Sequence, residues 1–215
     1  MKIIKSFLVL ILTFLIFGYA KGLIMIIATI NIFDQSVVSF ISGFLVFIPL
    51  WFIWMRKAHF FSTFEHELTH LIAGMIFFKK PEKFNVTASQ GGNVSLHGNN
   101  FLITLAPYFL PTFSLLFLPV YFIINSRFII FFFVILGILS SYHFFSTVQE
   151  FSYKQTDIID CGRIFSTFFI IFTNIFFIGF IIAFVIGQFS RSWMFIRMGF
   201  IHSYEIFELI KTSWF

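Results

Sequence analysis

His66, Glu67 and His70 stand in the order H-E-x-x-H within Phe64-Glu-His-Glu-Leu-Thr-His-Leu71. On a helix, side chains four residues apart lie one above the other on the same face, so the two imidazoles can bind one metal ion together. Glu67, the next residue round, then reaches a water on that metal as its general base. The chemistry this constellation suits is hydrolysis assisted by Zn²⁺. Leu68 and Thr69 inside the motif are uncharged, and Leu71 and Ile72 after it are apolar, which agrees with such a site. The alternative is a pair of histidines bonded to backbone or to Glu65, with no metal. Against it, apolar sequence flanks the motif on both sides, and ionisable groups in a bilayer each cost several kcal/mol and are functional by default. Glu65, His66, Glu67 and His70 all fall in this one short stretch. The pattern does not continue as H-x-x-G-x-x-H, because Ala73 and Ile76 occupy those positions, so a third histidine of that kind is excluded.

The elements that must carry these residues are membrane helices. The 215-residue chain is 59% hydrophobic and 11% charged, with a mean hydropathy of +0.98. A soluble domain carries about 25% charged residues. The composition therefore predicts an all-α polytopic membrane protein, one integral membrane domain over residues 1–215 in contact with the lipid bilayer. The 39 phenylalanines are read as bilayer-tolerated composition without a binding role. The formal charge of +5 comes from Lys and Arg at the ends of apolar runs, where they anchor at head groups. No basic stripe suggests nucleic acid. The single cysteine, Cys161, excludes an intrachain disulfide and a cysteine-based zinc cluster.

About six spans are expected. The first has a basic start, an apolar run over residues 7–17 and small residues at Gly18 and Ala20. A cleaved signal peptide has that form, but apolar sequence resumes after Lys21, which favours a retained helix. The second covers residues 35–55 and the motif helix residues 60–78. The fourth, residues 101–124, holds Pro107, Pro111 and Pro119 and should be kinked. The fifth covers residues 128–145 and the sixth residues 164–186. Residues 190–215 mix charge with Trp193, Phe195, Phe207 and Leu209, as an interfacial amphipathic helix would. The basic residues are divided too evenly between the two sides to give an orientation.

Between the third and fourth helices, residues 83–99 alternate about Gly91-Gly92, which predicts an interfacial β-hairpin insertion. A plain connecting loop is the competing reading. An exposed edge of this hairpin could take a substrate chain as an added strand, which makes Gly91, Gly92 and Asn93 candidate substrate-binding residues. The third metal ligand is sought among the remaining acids and histidines. Asp157 and Asp160 stand together in Gln155-Thr-Asp-Ile-Ile-Asp-Cys-Gly-Arg163, and two acids there are costly unless they bind something. Helix capping by Thr156 or Asp157, with Asp160 favouring the helix dipole, is the alternative. His97, His143 and Glu150 are read as boundary residues without a role; the two histidines are the candidates for oxyanion donors.

A membrane helix with H-E-x-x-H, a polar Gly-containing loop and a later helix opening on an aspartate resembles the site-2 protease family of intramembrane zinc metallopeptidases. Ile159-Asp160-Cys161-Gly162-Arg163 is similar to that family's L-D-G-G-R, with Cys161 in place of the first glycine. Ala106-Pro107 resembles its Gly-Pro step. The likeness covers about residues 60–186 and implies a metallopeptidase core there. The Asn and Pro that usually precede the family's aspartate are absent, which leaves the ligand open between Asp157 and Asp160. More divergent members place the aspartate after a short polar run, which favours Asp157. The resemblance implies a zinc endopeptidase cleaving membrane-protein substrates in or near their transmembrane segments. Two other classes remain open: an inactive relative that binds membrane partners, and a metal-binding transporter. The sequence carries no signal for an oligomeric state.

Overall fold

A computed structural model describes residues 2–87 and 91–214. Its elements are α1 (Lys2–Ile27), α2 (Gln35–Ile53), α3 (His59–Ile76), β1 (Pro81–Thr87), β2 (Gly91–Leu96), α4 (Phe101–Leu105), α5 (Thr112–Phe117), α6 (Ile129–Glu150), α7 (Thr156–Cys161) and α8 (Arg163–Trp214). The chain forms two compact units. One combines the segments up to Val38 and from Gly162 onward; the other is Ser39–Cys161.

Where about six spans are expected, four helices among the described residues, α1, α2, α6 and α8, are long and apolar enough to cross a membrane. Counting the bent pair formed around α4 and α5 gives five. The motif helix accounts for the difference. Glu65, Glu67, His66 and His70 dilute the apolar residues of α3 below spanning hydropathy. The residues expected as a sixth span and a separate tail form two helical arms of α8, divided by non-helical backbone at Gly187 and Gln188, where Gln188 turns to a φ of 52°. The surface of these helices is apolar: Phe7, Leu10, Leu45 and Phe131 are exposed, while Glu65, Thr69, Ser141 and Ser146 are buried. That inversion of the usual soluble pattern fits a multi-pass membrane protein.

In the first unit, α1 packs along α8. Tyr19 is fully buried and meets Phe172 and Phe195 edge to face. A methyl group at Gly18 would overlap Ser203, and one at Gly199 would overlap the Tyr19 ring. Small residues at these crossings let the two backbones approach closely. Lys21 pairs with Glu205 at 3.1 Å.

In the second unit, α2 and α6 also touch closely. Gly43 lies on the Val134 carbonyl, and Gly137 lies on that of Phe40. α3 is tied to its neighbours by hydroxyls: Thr69 bonds Thr112 at 2.6 Å, and the Tyr142 hydroxyl donates to the Phe61 carbonyl. The expected kink at the prolines is a full break. Helical segments on either side of Pro111 are bent by 91°, because a proline lacks the N–H and clashes with the preceding turn.

β1 and β2 form an antiparallel pair with Phe84 opposite Val94 and Val86 opposite Gly92. The strands cover Pro81–Thr87 and Gly91–Leu96, so the sheet starts and ends earlier than the expected 83–99. The Gly-Gly pair is not the turn. Gly91 and Gly92 are the first residues of β2, facing Thr87 and Val86, and the connecting residues 88–90 lie outside the described residues.

Candidate metal centre

Every side chain of the centre comes from the Ser39–Cys161 unit. α3 presents His66 and His70 one turn apart, with ring centroids separated by 4.9 Å. Each ring is fixed through its Nδ1. His66 Nδ1 lies 3.0 Å from Glu150 Oε2, and His70 Nδ1 lies 2.9 Å from the carbonyl of Ile103. That carbonyl belongs to α4, which Asn100 caps by accepting from the Ile103 N–H. That carbonyl also accepts from the Ala106 N–H, and its second lone pair serves the imidazole.

The Nε2 atoms of both rings then converge on α7. His66 Nε2 is 3.6 Å and His70 Nε2 is 3.7 Å from Asp157 Oδ2. One ligand atom from each of His66, His70 and Asp157 lies within 4.8 Å of the others. Ligands on a tetrahedral zinc with bonds of about 2.0–2.1 Å stand about 3.4 Å apart. Two imidazole nitrogens and a carboxylate oxygen at these separations therefore fit Zn²⁺, with a fourth position left for water. The Tyr108 hydroxyl donates to Asp157 Oδ2 at 3.2 Å and steadies it. Burial opposes the charge on Asp157, but the His66 and His70 imidazoles beside it outweigh that and hold its carboxyl well below the usual range.

Asp160 takes no part in this convergence. α7 has only six residues; Asp157 sits in its first turn, Ile158 and Cys161 are buried, and Asp160 is exposed. A residue three positions on is displaced about 4.5 Å along the axis, which carries Asp160 past the imidazoles. Gly162, at a φ of 91°, separates α7 from α8, so the two aspartates do not open the long apolar helix as expected.

β2 lies over the motif. A methyl group at Gly92 would overlap the Glu67 side chain, so only glycine permits this approach. Between strand and helix is a cavity of about 530 Å³, bounded by His66, Glu67, His70 and Asp157 on one side and by residues 92–96 on the other. Of the candidate substrate-binding residues, Gly92 and Asn93 line it. His97 is exposed and pairs with Glu82 at 2.8 Å; His143 is buried on α6, 3.5 Å from the Thr147 hydroxyl. Neither belongs to the three-ligand group.

Sequence reasoning missed three supports: Glu150, Tyr108 and the Ile103 carbonyl. Glu150 has no role by the sequence reading, yet it lies 3.0 Å from His66 Nδ1. One signal was available, since Glu150 ends an apolar helix and opens the polar run that leads to Asp157. Compared with known proteins, the chain matches no family model, no curated protein and no solved structure.

Proposed function

We propose that this chain is a multi-pass membrane protein acting as a zinc-dependent endopeptidase, similar to the site-2 protease family, on peptide bonds in or near transmembrane segments. The observation that carries this reading is the meeting of His66, His70 and Asp157 around one point, with Glu67 beside it in an accessible cavity. Zinc held there would lower the pKa of a bound water toward neutrality and polarise a carbonyl. His66 and His70 would offer their Nε2 atoms to the metal, because their Nδ1 atoms already face Glu150 and the Ile103 carbonyl. Glu67 accepts the proton of the attacking water and returns it to the leaving amine. β2 has β1 as its partner on one side, and its residues from Gly92 to Leu96 border the cavity. A substrate drawn out as an extended chain can pair there as an added strand, which supports the assignment of Gly92 and Asn93 to substrate binding.

Zinc content is the first test. The wild-type protein should carry one zinc per chain and His66→Ala none; a wild-type protein that takes up no zinc overturns the metal reading. Glu67→Gln should keep zinc while cleavage of single-span membrane peptides, followed by mass spectrometry, falls by about 10²–10⁴-fold. Zinc uptake without cleavage by the wild type would leave a metal-binding relative that is not a protease.

A further inference from the structure

The connection between α6 and α7 places an acid against each nitrogen of one imidazole. Glu150, the last residue of α6, is 3.0 Å from His66 Nδ1, and Asp157, in the first turn of α7, is 3.6 Å from His66 Nε2. A neutral imidazole carries its proton on one nitrogen and a lone pair on the other. A carboxylate at Nδ1 keeps the proton there and turns the Nε2 lone pair outward.

α6 makes this contact as part of a matched face. Ser146 and Glu150 are one turn apart, so they project in the same direction. The Ser146 hydroxyl donates to Glu65 Oε2 at 3.4 Å, while Glu150 takes the next residue of α3, His66. The Glu65 partner is buried, and Glu150 is only 17% exposed. His70, by contrast, rests on a neutral carbonyl. Both Nδ1 atoms face an oxygen, but only that of His66 faces a carboxyl group.

We propose that Glu150 is a positioning residue of the centre: it fixes the Nδ1–H form and the orientation of His66, so that Nε2 faces the metal position with Asp157. This inference rests on the metal reading given under Proposed function. A purely structural role, in which Glu150 merely docks α6 on α3, makes a different forecast.

The test uses full-length protein in detergent micelles, with zinc affinity measured by chelator competition and the visible spectrum recorded after Co²⁺ loading. Glu150→Ala should weaken zinc about 10–100-fold and change the cobalt spectrum at saturation. Glu150→Gln still offers an oxygen to Nδ1–H; it should keep a wild-type cobalt spectrum and lose less affinity. Ser146→Ala breaks the neighbouring α6–α3 contact and should lower the melting temperature without altering affinity or spectrum. Wild-type affinity and spectrum in Glu150→Ala overturn the assignment, as does a Ser146→Ala form that weakens zinc equally. Should the Ala form not fold, Glu150→Gln decides alone, with unchanged affinity counting against the proposal. A wild-type protein that binds neither metal removes the metal reading itself, whereas wild-type binding with an indifferent Glu150→Ala removes only Glu150.

Discussion

Of the two aspartates, three residues apart, only Asp157 joins the group that could hold a metal ion. Asp157 Oδ2 is within 3.7 Å of both imidazole Nε2 atoms, and Asp160 is exposed at the far end of the same short helix. Asp157→Ala should therefore cost more zinc affinity than the roughly 10–100-fold expected of an outer partner, and Asp160→Ala should bind as the wild type. Equal losses in the two variants would refute the ligand set. The Asp157 carboxyl also makes a pH forecast. Its folded pKa is held below the unfolded value of about 3.9, so the stability it contributes is complete above that value and is lost as pH falls toward the folded one. Melting temperatures of metal-free wild type and Asp157→Asn should run parallel from pH 7 to 5, with the wild type falling more steeply below about pH 4. At this scale the sequence was informative where local geometry is rigid. H-E-x-x-H lies on one helix, and four-residue spacing dictates a shared face. Choosing between Asp157 and Asp160 required knowing where a six-residue helix begins. Glu150 meets His66 across 84 positions, and no local spacing encodes that contact.

Glycine at position 92 governs how the sheet meets the motif helix. From sequence, Gly91-Gly92 reads as a turn, since paired glycines usually relieve a tight reversal. In the structure they belong to β2, and Gly92 is bare because Glu67 and Thr63 leave no room for a side chain. Gly92→Ala should lift β2 from α3. A displacement of about 1 Å at a catalytic group costs about 10²-fold in rate, so cleavage should drop by that order while zinc content stays at the wild-type level, because no ligand moves. A variant that cleaves at the wild-type rate would show that the strand does not set the position of Glu67. The proline-rich segment had a readable cause and an unreadable magnitude. Three prolines announce a disturbed helix, but a 91° break, which leaves α4 free to offer the Ile103 carbonyl to His70, depends on packing around Thr112 and Tyr108.

For the whole chain, composition told the class, and about six expected spans compare with four or five apolar enough among the described residues. An apolar run of adequate length is easily recognised, but α3 trades hydropathy for its polar cluster; the non-helical backbone at Gly187–Gln188 divides α8 where the sequence expects one helix to end and another to begin. The exposed Phe and Leu side chains of α1, α2 and α6 require a lipid-like solvent, so the protein should remain with membranes through alkaline carbonate washing, and release into the supernatant would contradict the membrane assignment. The division into two units gives a sharper forecast. All three proposed ligands, Glu67 and Glu150 belong to Ser39–Cys161, whereas Gly199 serves the packing of α1 on α8 against Tyr19. Gly199→Leu overpacks that crossing, and an inserted side chain in a tight interface costs about 1–3 kcal/mol. The melting temperature should fall accordingly, while below it the zinc stoichiometry and the cobalt spectrum remain those of the wild type. Loss of zinc in Gly199→Leu at temperatures where the variant is still folded would mean that the α1–α8 pair is required to hold the ligands in place, and that the metal centre is not a property of the Ser39–Cys161 unit alone.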